Sequence, residues 1–250
     1  MSQPQTLAAW LAYLETLHPK TIELGLERVS AVFARLAIGL SCPVITVGGT
    51  NGKGSTCAIA ERMLAAAGYR VGLYTSPHLI RYNERVRIAG VEARDEALCE
   101  AFAAVETVRG DVALTYFEFG TLAALWLFAR ERLDALVLEV GLGGRLDAVN
   151  IVDPDVAVVT TVAIDHVDYL GASREAIGRE KAGIFRERRV AVCADRDPPP
   201  TLVEHAAAIG ARLLRLGIDY DFARRGGQWS YRGPGGARHG LPYPALRGEH

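Results

Sequence analysis

The sequence predicts an α/β protein with a doubly wound, mostly parallel sheet, and three observations support this prediction. Short apolar runs rich in valine and isoleucine alternate with segments of helical periodicity along most of the chain, which is typical of βαβ units. The run at residues 135–140 is almost wholly apolar, as are strands covered on both faces. A glycine-rich turn at residues 48–54 joins a predicted strand to a predicted helix, which is the setting of a phosphate-binding loop.

The individual elements follow in order along the chain. Apolar residues at helical spacing predict helices over residues 7–17, 27–37, 55–67, 95–108, 117–130, 174–185 and 201–209. Apolar, β-branched runs predict strands over residues 43–47, 71–75, 135–140, 156–162, 189–193 and 212–216. Residues 221–250 contain seven glycines and three prolines and no long periodic pattern, and only a small antiparallel hairpin, residues 220–223 with 228–231, is predicted. We therefore expect one α/β domain over residues 1–216, followed by a hairpin and the start of a linker over residues 217–250.

The composition excludes several classes of protein. The 250 residues are 50% hydrophobic and 23% charged with a formal net charge of −1, so neither a disordered chain nor a basic nucleic-acid or membrane surface is expected. No apolar run approaches the ~18 residues of a membrane span, and the N-terminus lacks the basic segment of a secretory signal. The four cysteines form no CxxC pair, which argues against a zinc site. We expect a cytoplasmic protein that acts on small molecules.

The strongest local motif is the glycine-rich turn between a strand and a helix. Its glycines let backbone N–H groups point at an anion, and the helix N-terminus adds a partial positive charge. In this interpretation Lys53 reaches the β- and γ-phosphates of a nucleotide and Ser55 binds Mg²⁺. The spacing departs from the strict phosphate-loop pattern because Gly54 separates Lys53 from Ser55, so an ordinary βα turn is the alternative. The residues predicted to bind ATP are Gly49, Thr50, Asn51, Gly52, Lys53, Gly54 and Ser55.

Three polar residues lie at or just beyond the ends of predicted strands, at the edge of the sheet where doubly wound proteins bind ligands. Glu139 lies at the end of an apolar strand, where a carboxylate is costly without a cation; it is either a Mg²⁺ ligand or the partner of Arg145 or another base. His166 follows the next strand and is either a metal ligand or an ordinary surface or core histidine. Ser76 ends an earlier strand, and its hydroxyl either binds a metal or substrate or belongs to a simple turn.

Two further residues lie at the ends of predicted helices. Lys181, near the end of a predicted helix, is favourable with the helix dipole and needs no other role. Phe117, at the start of another predicted helix, either packs in the core or stacks on a flat heterocycle.

Taken together, the motifs are recognisable. The most specific are GTNGKGS at residues 49–55, LTYFEFGT at 114–121 and LEVGLGGRLDAVN at 138–150. Others lie at residues 17–29, 74–79, 83–86, 165–166 and 180–184. With these motifs the chain resembles the bacterial bifunctional dihydrofolate synthase/folylpolyglutamate synthase family of the Mur ligase superfamily, closely over residues 1–190 and more weakly beyond. The resemblance implies a Mur ligase central-domain fold and explains the unusual spacing of the phosphate loop, because the family has the same spacing.

The resemblance also implies a reaction and a set of partners. The family uses ATP to phosphorylate a substrate carboxylate, and the amino group of L-glutamate then attacks the acyl phosphate. The implied substrates are ATP, L-glutamate, dihydropteroate and folates, with neither a nucleic acid nor a membrane as partner. Family members are longer than this chain and carry a C-terminal ligase domain. We therefore expect an N-terminal part, with residues 246–250 starting the linker, and little or no activity from this part alone.

Roles carry over residue by residue from the resemblance. Catalytic roles fall on Lys53, Glu139, His166 and Lys181. Two Mg²⁺ sites are implied, one at Ser55 and Glu139 and a second at Ser76, Glu139 and His166. Lys181 matches a carbamylated lysine, whose carbamate oxygen would support the second ion. Thr115, Phe117, Asp147 and Ala148 match positions that bind the pterin side of the substrate.

Two alternatives stay open. The first is a Mur-type amino-acid ligase of cell-wall synthesis, against which the segments at residues 114–121 and 144–150 argue. The second is a catalytically silent nucleotide-binding module, which would apply most readily to the isolated chain.

Overall fold

A single eight-stranded sheet forms the centre of the structure, a computed structural model that describes residues 3–243. In chain order its strands are β1 (Val44–Gly48), β2 (Val71–Tyr74), β3 (Val86–Ile88), β4 (Val91–Glu92), β5 (Ala135–Glu139), β6 (Val156–Val159), β7 (Val190–Cys193) and β8 (Arg212–Arg215). Their order across the sheet is β4-β3-β2-β5-β1-β6-β7-β8. Within the run β2-β5-β1-β6-β7-β8 every neighbouring pair is parallel. Strand β3 pairs antiparallel with β2, and β4 pairs antiparallel with β3. This confirms the predicted α/β class with a mostly parallel sheet.

The strand order decides where a ligand site can form. The first strand, β1, lies in the interior between β5 and β6. Because all three strands are parallel, the loops that follow them leave the sheet side by side at one edge. These loops contain the residues that the sequence singles out after residues 48, 139 and 159.

Helices cover both faces of the sheet. They are α1 (Leu7–Leu14), α2 (Glu27–Leu36), α3 (Lys53–Ala66), α4 (Asp95–Arg109), α5 (Tyr116–Ala129), α6 (Val167–Leu170), α7 (Arg174–Ala182) and α8 (Pro200–Ala208). Residues of α1, α2, α4 and α5 share the largest core with Val44 and Leu138. Val47 and Val137, whose side chains alternate to the opposite face, share a smaller core with Cys57 of α3. Helix α3, which follows the phosphate loop, therefore packs on the face of the sheet opposite to α1, α2, α4 and α5.

The C-terminal segment is larger than the predicted hairpin. It is a three-stranded antiparallel sheet made of β9 (Asp221–Arg225), β10 (Gln228–Gly233) and β11 (Gly236–Pro242). The third strand was not predicted because its sequence, GARHGLP, has no apolar alternation. Tyr220 Oη donates a hydrogen bond to the Cys193 carbonyl at 3.0 Å, which attaches this sheet to β7. The division of the chain at residue 216 stays a prediction, and residues 246–250, the predicted linker, lie outside the described residues.

Several predicted boundaries were wrong. Strand β6 ends at Val159 rather than at residue 162 because Thr160 and Thr161 leave the sheet to bind the loop after β1. Helix α7 ends at Ala182 rather than at residue 185. The edge strands β3 and β4 were missed because they have only three and two residues. Between residues 3 and 243, no helix has the length and apolar character to cross a membrane.

Candidate active site

The glycine-rich turn is a tight loop that only glycine allows at two positions. Gly52, the N-cap of α3, has a left-handed φ of +82°. Gly49 has φ +142°, and a Cβ built there would lie 1.8 Å from Thr160 Oγ1. Lys53 Nζ donates to the carbonyls of Gly49 and Thr50 at 3.0 and 3.3 Å. The cationic side chain thus folds over the loop at the N-terminus of a helix, which is where an anion binds.

The neighbouring loop after β6 holds the glycine-rich loop in place. The Thr50 amide donates to the Thr161 carbonyl at 2.8 Å, and the Asn51 amide donates to Thr161 Oγ1 at 3.1 Å. In return, the Ala163 amide donates to Thr50 Oγ1 at 3.0 Å. These contacts fix the backbone from residue 49 to 51 and bring the segment that contains His166 close to the loop.

Glu139 lies at the centre of this edge. It is the last residue of β5, is 4% exposed, and accepts a hydrogen bond from the Ser76 amide at 3.1 Å. A Cβ at Gly54 would lie 3.7 Å from both carboxylate oxygens, so the phosphate loop passes directly by. Burial raises the pKa of Glu139, while the Ser76 amide and the charges of Lys53 and Arg85 oppose this shift.

The alternative interpretation of Glu139 as the partner of Arg145 was wrong. Arg145 binds Glu180 instead, with its Nη2 2.7 Å from Oε1. Within residues 3–243 no Lys or Arg forms an ion pair with Glu139. A buried carboxylate with one amide donor and no paired base is a good ligand for a cation that arrives with a substrate.

Of the other residues predicted to hold metal, Ser55 lies in the first turn of α3 and Ser76 follows β2. His166 is the N-cap of α6, its side chain is 52% exposed, and its Nε2 lies 3.7 Å from Asp165 Oδ2. The described part of the chain has no group of three His, Cys, Asp or Glu side chains that could hold an ion by themselves. Mg²⁺ takes one or two carboxylates and completes its shell with water and phosphate oxygens, so the donor set around Glu139 fits it.

Lys181 is buried in the last turn of α7, where it is 3% exposed. Burial lowers its pKa to about 8; the nearby charge of Lys53 acts in the same direction, and Asp165 opposes it. A lowered pKa increases the fraction of neutral amine near neutral pH, and the neutral amine is the form that reacts with carbon dioxide. Lys181 is therefore a helix-end lysine, as the sequence allowed, and it is a buried one.

A cavity of about 820 Å³ opens beside Ser76. It is lined by six of the residues that the sequence predicted for metal or substrate: Ser76, His166, Thr115, Phe117, Asp147 and Ala148. Phe117 closes against the loop after β5, because a Cβ at Gly141 would lie 2.7 Å from its ring. The phosphate-loop residues 49–55, although described, are not among those that line the cavity.

The cavity wall includes residues to which the sequence gave no role. They are His18, Glu23, His78, Arg85, Tyr116 and Glu118, among others. All six lie in or beside the motifs that carried the family resemblance, and this was the signal that could have identified them. Their placement in one wall depends on packing between distant segments, which no local pattern contains.

A chain of ion pairs fixes the wall that begins at His18. Glu118 is 3% exposed and accepts from Arg28 Nη2 at 3.0 Å. Arg28 also donates to the Glu23 carbonyl at 3.0 Å, and Glu23 Oε2 lies 3.0 Å from His18 Nε2. Glu118 and Thr115 form the capping box of α5. The helix that carries Phe117 is thereby joined to the facing loop.

Asp147 is 2% exposed and accepts hydrogen bonds from the amides of Leu142 and Val149 at 2.8 and 3.0 Å. Burial raises its pKa to about 7 even though these amides favour the charged form. Since this pKa is higher in the folded than in the unfolded chain, the folded state binds more protons between about pH 4 and the raised pKa. The free energy of unfolding must therefore decrease as the pH rises through that range.

We expect Asp147→Asn to remove this contribution, which is on the order of 2–4 kcal/mol between about pH 4 and pH 8. Urea unfolding of both proteins at the two pH values measures it. Asp197→Asn is the matched control, because that carboxylate is 95% exposed. An unchanged pH dependence in the Asp147→Asn protein would show that Asp147 titrates normally.

The chain is similar to known proteins over most of its length. Residues 47–228 match the family described as the Mur ligase middle domain. A dihydrofolate synthase/folylpolyglutamate synthase of Escherichia coli strain K12 is 55% identical over 241 residues, which are 96% of this chain and 57% of that protein. The enzyme of the same description from Haemophilus influenzae is 48% identical over 95% of this chain and 54% of its own length.

Solved structures of similar proteins contain ligands. One is described as E. coli FolC in complex with DHPP and ADP; it has 53% identity and a TM-score of 0.96 over 99% of this chain and 60% of its own. A Yersinia pestis folylpolyglutamate synthase/dihydrofolate synthase with Mn, AMPPNP and L-glutamate has 51% identity and a TM-score of 0.90 over 97% of this chain and 60% of its own. The chain spans less than two thirds of the length of these relatives. By the match over most of its length, the chain belongs to the Mur ligase middle-domain family.

Proposed function

We propose that this chain provides the ATP-binding and acid-binding part of a ligase that joins L-glutamate to dihydropteroate and to folates. One observation carries the proposal. Ser76 lines the 820 Å³ cavity and its amide donates to Glu139, and the carboxylate of Glu139 lies beside Gly54 of the phosphate loop. A nucleotide in the loop and an acid in the cavity would therefore bring a γ-phosphate and a carboxylate together at these two residues.

The nucleotide side of the reaction rests on residues 49–55. Gly49, Gly52 and Gly54 allow the backbone to approach the phosphates closely, and the N-terminus of α3 favours their negative charge. Lys53, which folds over the loop, would turn from the carbonyl of Gly49 to the γ-phosphate and neutralise part of its charge.

The acid side rests on the cavity. Phe117 would stack on the pterin ring, and Thr115, Asp147 and Ala148 would line its edge. Asp147, with a pKa raised by burial to about 7, is suited to accept hydrogen bonds from ring N–H groups as the carboxylate or to donate one as the acid. Its position in the wall is fixed by the amides of Leu142 and Val149.

The reaction proceeds in two displacements. A carboxylate oxygen of the acid attacks the γ-phosphorus of ATP, the bond to the β-phosphate oxygen breaks, and ADP and an acyl phosphate form. The amino group of L-glutamate then attacks the acyl carbon, phosphate leaves, and the nitrogen loses a proton as the amide forms. Mg²⁺ bound by Ser55, Ser76, Glu139 and His166 would supply charge neutralisation for the phosphate oxygens. Glu139 and Ser76 would lie next to both reacting groups.

Lys181 is proposed to act as its carbamate. Its burial and its pKa, lowered to about 8, favour the neutral amine that carbon dioxide would carboxylate. The resulting anion would replace a buried cation beside Lys53 with an oxygen ligand, which removes a repulsion and adds a donor for the second ion. The segment by which the relatives exceed this chain is proposed to complete the ATP site and to bind L-glutamate.

The deciding experiment measures phosphate release by the polypeptide as encoded in full. Release is expected only when ATP, L-glutamate and either dihydropteroate or tetrahydrofolate are all present. A UDP-sugar peptide acceptor tests the cell-wall ligase alternative, and its use in place of dihydropteroate would overturn the proposal. Residues 1–250 alone are expected to bind an ATP analogue and dihydropteroate but to release little phosphate.

A further inference from the structure

Arg85 occupies a distinct position in the cavity. It ends the 3-10 turn Tyr82–Arg85 just before β3, is half-buried, and lines the cavity together with Ser76 and His78. The Thr75 amide donates to the Arg85 carbonyl at 2.9 Å, so the backbone of Arg85 is tied to the residue before Ser76. The next residue, Ser76, donates its amide to Glu139 at 3.1 Å, so Arg85 and Glu139 are connected through the Thr75–Ser76 segment.

The guanidinium is held in one orientation from several sides. Its Nε donates to His78 Nδ1 at 2.8 Å, and its Cζ lies 5.4 and 5.6 Å from the ring centroids of Tyr82 and Tyr116. In this contact the imidazole Nδ1 of His78 is the acceptor. This support orients the planar group without using its two terminal nitrogens.

Those terminal nitrogens have no acidic partner in the described part of the chain. Only one other Lys or Arg lines the cavity, Lys20, and its Nζ lies 3.4 Å from Glu23 Oε1. Arg85 forms no such pair with any carboxylate among residues 3–243. An oriented guanidinium with free terminal N–H groups matches the two oxygens of a carboxylate.

We propose that Arg85 binds the carboxylate of the acid substrate and holds it at the Ser76–Glu139 end of the cavity. The inference rests on the proposed function, since it takes the cavity to be the acid site. It adds the group that recognises the acid as an anion, which none of Thr115, Phe117, Asp147 and Ala148 can do. A carboxylate at Arg85 would face Glu139 and the phosphate loop beyond it, while the aromatic end of the substrate extends toward Phe117.

The test compares dihydropteroate with its neutral carboxamide, which has the same shape. Dissociation constants for both ligands are measured on the full polypeptide, with and without a non-hydrolysable ATP analogue. The wild-type protein is expected to bind the acid about 10–100-fold more tightly than the amide, as for a charge-assisted hydrogen-bonded pair. In Arg85→Gln this ratio is expected to fall to near one, through weaker binding of the acid and unchanged binding of the amide.

Lys20→Gln is the matched control, because it removes the other cation of the cavity and is expected to preserve the ratio. Arg85→Lys keeps the positive charge but not the planar guanidinium with its two terminal nitrogens, and an intermediate acid-to-amide ratio is expected. Equal weakening of acid and amide by Arg85→Gln would mean that Arg85 only shapes the cavity, and the inference would be overturned. A wild-type ratio near one would overturn it without any variant. If neither ligand binds the wild-type protein, the proposed function itself fails.

Discussion

Lys53→Ala is expected to weaken binding of an ATP analogue by about 10–100-fold, because it removes a charged donor to phosphate. Phosphate release by the full polypeptide is expected to fall further, by about 10²–10³-fold at saturating ATP, since the lysine would also neutralise charge that develops during transfer. The variant should fold normally. Among the described residues, Lys53 Nζ donates only to the carbonyls of Gly49 and Thr50. Losing these two hydrogen bonds changes the free energy of unfolding by about 1 kcal/mol.

Arg62→Ala separates this effect from the general loss of a positive charge on α3. Arg62 lies on the same helix and is exposed, so its removal is expected to leave nucleotide binding and phosphate release unchanged. Calorimetric titration with the analogue measures affinity, and urea unfolding checks the fold. If Lys53→Ala bound and turned over ATP like the wild-type protein, residues 49–55 would be an ordinary βα turn.

The phosphate loop could be predicted because everything it needs is contiguous. A strand, a run of glycines and a helix follow one another within about twenty residues, and the strain at Gly49 and Gly52 is a property of that short segment. Glu139 was predictable for a related reason, since burying a carboxylate at the end of an apolar strand costs free energy unless the carboxylate binds a cation. Parallel topology then placed both at one edge of the sheet.

The cavity could be predicted only in part, because packing between distant segments forms it. Arg85 reaches the cavity wall from the 3-10 turn before β3, and His78 contacts it there. The short strands β3 and β4 that follow this turn were not predicted. The loop that begins at His18 becomes a wall only through Arg28 and Glu118, which are 90 residues apart in sequence. Such contacts have no local period, so the sequence indicated that these segments matter without indicating what they do.

Glu139→Gln is expected to reduce phosphate release by the full polypeptide about 10²–10³-fold, the effect of removing one charged group from a transferring phosphate. Glutamine has the same size and can still accept from the Ser76 amide. Its weaker donation to a cation is expected to raise the Mg²⁺ concentration required for half-maximal activity. A titration with Mg²⁺ at saturating substrates measures both changes. Turnover and metal requirement equal to those of the wild-type protein would exclude Glu139 from the metal site.

The stability of this variant is expected to move in the opposite direction to its activity. Burial raises the pKa of Glu139 above its ordinary value, so the folded state holds the charged form less well than the unfolded state does, and its stability falls as the pH rises through that pKa. Removing the charge should therefore leave the free energy of unfolding near pH 7 unchanged or higher. Glu61→Gln is the matched control: Glu61 is 1% exposed and its Oε2 lies 2.9 Å from Arg87 Nη2. Burial also raises the pKa of Glu61, but here the removed charge is the partner of Arg87. The two effects on stability therefore oppose each other, and the Mg²⁺ requirement is expected to stay unchanged.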